Sequence, residues 1–167
     1  MNTVLDETLT TKRISNRCSF KIKKIVVAVD LSQRCEKTAT YAAEFARVLG
    51  ASLILVHVFA PEPVNEFTFP QVHESFKEER RETERKLRSL VERVRETNPD
   101  CGMEFRIGDP AEQVILAAVK GKADLIVTAA RHHPGLLSRL FGLDHAERIL
   151  HRAYCPVLVY HEKSLEI

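Results

Sequence analysis

Two continuous apolar runs, Lys23-Lys24-Ile25-Val26-Val27-Ala28-Val29-Asp30 and Ala51-Ser52-Leu53-Ile54-Leu55-Val56-His57-Val58-Phe59, flank a segment of helical period from Gln33 to Leu49. Runs without polar alternation fit strands buried on both faces, the condition of a parallel sheet covered by helices. Ala39, Ala42, Ala43, Ala46 and Leu49 mark one face of the intervening helix, and Gly50 stops it. That face is mostly alanine, so the helix can lie close on the sheet. Strand, helix and strand in this order make a βαβ unit.

The pattern continues along the chain. Ala60 to Val72, with Pro61, Pro63, Pro70, Phe67 and Phe69, reads as a loop long enough to cover the carboxyl edge of the sheet. Glu74 to Thr97 reads as a long charged helix with one stripe, Phe76, Thr83, Leu87, Leu90, Val91 and Val94. Glu82 with Lys86 and Glu84 with Arg88 have the spacing of ion pairs along its wet face. Gly102 to Ile107 is a short alternating strand. Asp109 then caps a helix over Ala111 to Lys120, with Pro110 in its first turn. Ala123 to Ala129 is the fourth strand, Ala146 to Leu150 is helical, and Pro156 to Tyr160 is the last strand. The order predicts an α/β fold: a single-domain, doubly wound, five-stranded parallel sheet, Rossmann-like, with helices on both faces.

Composition removes several functions. A chain of 167 residues has room for one domain with a real core, and 44% hydrophobic with 29% charged residues is ordinary for a globular protein. The expected division is a tail over 1–20, a domain over 21–163 and a short tail over 164–167. The first tail lacks periodicity and the apolar core of a secretory signal. A net charge of +2 argues for neither nucleic acid nor a membrane surface, and no apolar run is long enough to span a bilayer. Cys18, Cys35, Cys101 and Cys155 are scattered, which fits free thiols and a reducing, cytoplasmic compartment. Cys35 is expected in a helix and Cys155 at a strand start. His132, His133, His145 and His151 share one segment, yet without cysteine support no metal site is expected. His57, inside an apolar strand, reads as a hydrogen-bonded core residue. The chain contains no Gly-Lys-Ser/Thr phosphate loop and no Gly-x-Ser-x-Gly elbow, and no nucleophile with a placed base can be named, so an enzyme is not expected.

Several short motifs carry a resemblance. They are the strand end Ala28-Val29-Asp30, the turn Gly108-x-Pro110, the loop Gly135-Leu136 to Gly142, and Ala146-Glu147-Arg148 ahead of Cys155-Pro156-Val157. In this order, over roughly Lys23 to His161, the chain resembles the universal stress proteins. The resemblance implies strand order 3-2-1-4-5, a homodimer formed through the last strand (Val157, Leu158, Val159, Tyr160), and an ATP site at the carboxyl edge. The positions matching that site are Asp30, Val58, Ala129, His132, Gly142 and Leu143. The family's nucleotide-binding members carry Gly, two residues, Gly, nine residues, Gly, then Ser or Thr, and wrap the phosphates with them. Laid on this chain, the four positions fall on Ala129, His132, Gly142 and Leu143, so one glycine remains.

The physical meaning of the departure is direct. A phosphate cradle needs backbone N–H groups turned to one point, which calls for residues at positive φ and no side chain in the way. Ala129 adds a methyl, His132 adds an imidazole, Leu143 has no hydroxyl, and Pro134 has no N–H. Losing two or three charge-assisted donors at about 1.5–3 kcal/mol each weakens binding by orders of magnitude. No cofactor is therefore expected, with ATP and magnesium as the alternative. Arg131, His133 and Arg139, with His132, leave two readings open: side chains that hold an anion in place of the lost nest, or solvated loop residues. Two functions follow. One is a dimeric, non-enzymatic stress-response or regulatory protein that acts on an unknown protein partner. The other is a nucleotide-binding switch or slow ATPase with an altered phosphate loop.

Overall fold

A computed structural model describes residues 21–32, 35–60, 70–129 and 145–161. Five strands, β1 (Lys24–Ala28), β2 (Ser52–Phe59), β3 (Cys101–Ile107), β4 (Leu125–Ala129) and β5 (Val157–Tyr160), form one sheet in the order β3-β2-β1-β4-β5. Every pairing is parallel. Among the described residues four helices accompany them: α1 (Cys35–Leu49), α2 (Pro70–Arg95), α3 (Pro110–Gly121) and α4 (His145–Arg152). The doubly wound sheet is as the sequence predicts, and its strand order is the one the resemblance implies.

Burial on both faces of the sheet explains the apolar runs. Ile25, Val27, Leu53, Leu55 and Val127 point to the face covered by α1 and α2, while Val26, Val56 and Ile126 meet α3 and α4. Ala39, Ala42, Ala43 and Ala46 are fully buried, so α1 approaches the strands at the distance small side chains permit. Leu49, assigned to the same stripe, is 39% exposed because it sits at the last turn, beyond the sheet. Leu87, Leu90, Val91 and Val94 seat the C-terminal half of α2; burying each contributes about 1.5–3 kcal/mol. The expected Glu82–Lys86 and Glu84–Arg88 pairs are present at 2.7 and 3.8 Å on its solvated side.

Some boundaries differ from expectation. The predicted loop ran to Val72, but α2 begins at Pro70, where a residue without an N–H costs nothing in a first turn. α2 ends at Arg95, two residues early. Asn98 is drawn inward instead, donating to the Ala51 carbonyl at 3.1 Å. In β3 burial is graded, because the strand lies at an edge, yet its chemistry alternates: Met103 and Phe105 pack on the core, and Glu104 pairs with Arg106 at 2.7 Å. Cys155 lies two residues ahead of β5 and is half-buried, while Cys35 and Cys101 are buried free thiols.

Helix ends are closed by local chemistry. Asp109 accepts from the Glu112 N–H at 2.9 Å, the expected cap of α3. At the other end the Ala123 N–H reaches the Ala118 carbonyl at 2.9 Å, and the residue between, Lys122, has φ 53°. This is the left-handed closure that glycine usually supplies. Gly50 supplies it for α1, with φ 64°. Tyr154 adds a further link, donating toward the carbonyls of Ala118 and Ala123 at 2.7 and 2.9 Å. Among the described residues no helix is long and apolar enough to cross a membrane.

Candidate functional site

The carboxyl ends of β1, β2 and β4 converge on a cleft of about 510 Å³. In a doubly wound sheet this is where strand order reverses and ligands bind. Asp30, Val58 and Ala129, three positions singled out from the sequence, all line it. His132, Gly142 and Leu143, and the basic residues Arg131, His133 and Arg139, lie outside the described residues. So does the proline- and phenylalanine-bearing stretch 61–69 expected to cover this edge.

Asp30 lies two residues beyond the end of β1. Its Oδ1 accepts from both the N–H and the Oγ of Ser32, at 3.0 and 2.7 Å, folding the chain into a tight turn. Leu31, between them, is held at φ 58°, a conformation costly for a branched side chain. The turn places the carboxylate at the cleft mouth ahead of α1. Ser32 also accepts the Cys35 N–H at its carbonyl, 3.0 Å away, so this turn starts the helix as well.

His57 lies one residue before Val58 and is 9% exposed. Its Nδ1 is 2.8 Å from the Val29 carbonyl, the point where β1 leaves the ladder with β2. Burial pushes its pKa down; the bond to Val29 and the Asp30 charge oppose that without reversing it. The expected hydrogen-bonded core role is thus present, and His57 is also among the residues that line the cleft. The sequence signal for this second aspect was one imidazole in an otherwise apolar strand. From α2 come Glu79, Thr83 and Lys86, which the helical stripe alone did not assign to the cleft. Lys86 also borders a smaller groove of about 290 Å³, closed by the Arg93–Glu36 pair at 2.6 Å.

The far wall belongs to α3 and α4. Pro110 and Val114 face Ala146 and Ile149 across it, with His145 at the rim. Arg148 fixes this wall, donating through two nitrogens to Asp109 Oδ2 and Oδ1 at 2.7 and 2.9 Å. One carboxylate therefore caps α3 and anchors α4. Arg148 foremost, then the Glu112 N–H, hold the Asp109 carboxyl below its ordinary pKa. Of the four histidines that share one segment of the sequence, His132 and His133 lie outside the described residues, and His151 lies 3.9 Å from Glu147 on the exposed side of α4. Among the described residues no group of three or more His, Cys, Asp or Glu is placed to bind a metal ion.

The family model for the universal stress protein family matches residues 21–161. The chain belongs to the universal stress protein family. It is 32% identical over 148 residues to a universal stress protein of Methanocaldococcus jannaschii, covering 86% of this chain and 85% of that one. The universal stress protein UspA from Lactobacillus plantarum shares the fold at a TM-score of 0.70 and 22% identity, over 83% of this chain and 97% of that one. A universal stress protein solved in complex with cAMP has a TM-score of 0.64 and 22% identity, over 86% and 99%.

A second surface belongs to β5. It pairs only with β4, so its other edge is unpaired among the described strands, and all four of its residues are half-buried. Val157 and Leu158 pack to opposite cores, and the Tyr160 ring lies 5.0 Å from that of Tyr41 on α1. In a universal stress protein this leaves a short, apolar, open-edged strand.

Proposed function

We propose that this universal stress protein is a dimeric, non-catalytic regulatory module that works in the cytoplasm through a protein partner and does not hold ATP by the usual glycine cradle. Ala129 supports this most directly: a methyl-bearing residue ends β4 at the cleft, where the family's first phosphate-binding glycine stands. Dimerisation through Val157, Leu158, Val159 and Tyr160 fits an unpaired apolar edge, which is stabilised when a second copy covers it. The test is to denature the purified protein, look for released adenine nucleotide, and titrate ATP with magnesium by calorimetry. No nucleotide and no binding at millimolar ATP is the expected result. Sedimentation equilibrium tests the dimer, which a Val159→Lys substitution should dissociate.

A second reading is favoured by the cleft itself. It stays open at about 510 Å³, with the Asp30 carboxylate at its mouth and apolar side chains on its walls. Under this reading the chain is a nucleotide-binding switch or slow ATPase, with magnesium, in which Arg131, His133 and Arg139 replace the lost nest. Micromolar affinity in the same titration would put it first.

A further inference from the structure

His57 is nine-tenths buried, yet only one of its two ring nitrogens is used within the described protein. A carbonyl only accepts, so Nδ1 carries the hydrogen it shares with Val29, and burial keeps the ring neutral. Nε2 is then an acceptor. No described residue donates to it. Among the described residues every fully occluded polar side-chain atom has a partner, so Nε2, which has none there, is not fully occluded, and His57 is one of the residues that line the cleft.

The rest of the polar lining is mixed: Asp30 and Glu79 bring carboxylates, Lys86 an ammonium, and Thr38, Thr83 and Thr128 hydroxyls, while Val58, Val114 and Ile149 are apolar. Such a cleft suits a flat, largely apolar ring system with both hydrogen-bond donors and acceptors at its edge.

We propose that His57 Nε2 accepts a hydrogen bond from an N–H or O–H group of a nucleoside seated in this cleft, which makes His57 a specificity-determining residue. The inference rests on the second reading above, that the cleft takes a nucleotide-type ligand, but not on how a phosphate is held.

Two substitutions separate this role from a structural one. His57→Asn keeps a side-chain N–H near the position of Nδ1 and removes the acceptor at Nε2, whereas His57→Gln restores an oxygen near that position. Titrated with adenosine as the probe, His57→Asn should bind about tenfold more weakly than wild type, because the ligand's donor is left unpaired. His57→Gln should recover most of the affinity. In wild-type protein labelled with ¹⁵N-histidine, the Nε2 resonance should move upfield on saturation with adenosine. Wild-type binding that leaves this resonance in place, or that His57→Asn does not weaken, overturns the role of His57 and leaves the cleft as a ligand site. Failure of the wild type to bind adenosine overturns both. If His57→Asn does not fold, the wild-type resonance decides.

Discussion

The His57 side chain reaches the carbonyl of Val29 through Nδ1 at 2.8 Å, taking over where the β1–β2 ladder ends. A neutral imidazole is therefore part of how the sheet opens toward the cleft. Its folded pKa lies below the ordinary 6.5, chiefly through burial. Protons then bind the unfolded chain first, so this contribution is fully present above 6.5 and is lost as pH falls through the lowered folded value. Urea midpoints followed from neutral into mildly acidic solution should decline for the wild type. The decline should be shallower in His57→Gln.

Lys122 closes α3 at φ 53°. A side chain in this region costs about 1–2 kcal/mol, partly offset by the greater freedom that glycine has when unfolded. Lys122→Gly should raise unfolding stability by about 0.5–1 kcal/mol, read from chemical denaturation. A loss of stability would mean that the lysine stem contributes packing that outweighs the strain.

The buried thiols should be inert. Burial, then the nearby Asp30 charge, pushes Cys35 up to about 11, and burial raises Cys101 to about 11 as well. Alkylation near pH 8 under native conditions should spare both, since the thiolate is the reactive form. Mass spectrometry after iodoacetamide treatment reads this directly. Rapid labelling of either would contradict the packing around α1 or β3.

Restoring the family pattern tests the reading of the loop. Ala129→Gly, His132→Gly and Leu143→Ser together should raise affinity for ATP with magnesium by at least tenfold, through regained backbone approach and one hydroxyl. Calorimetry on the triple variant provides the comparison. Unchanged affinity would mean that the substituted positions are not what limits phosphate binding.

Most of the fold was legible because its strands are buried on both faces. Ile25 to Val29 and Leu53 to Phe59 could be nothing but interior, and the alanines between them fix how close α1 lies. Edges were harder: β3 exposes part of both faces, and Pro70 was taken for a loop residue when it opens a helix. Of the site, Asp30, Val58 and Ala129 were named through the resemblance to the family, and all three line the cleft. Glu79 and Lys86 were not, because a cleft residue on a charged helix looks like any other solvated one. The Arg148 fork was invisible for a different reason. It joins residues 39 apart in sequence, and no local pattern announces such a pair.

That fork has a consequence for how this protein can change over evolutionary time. Asp109 grips Arg148 through both carboxylate oxygens, and Ile149 is sunk into the core, so among the described residues α4 is moored to α3 by side chains that lie outside positions 130–144. A substitution at those positions leaves this fork chemically intact, and selection could try a new ligand, or none, without touching the two residues that tie the helices together.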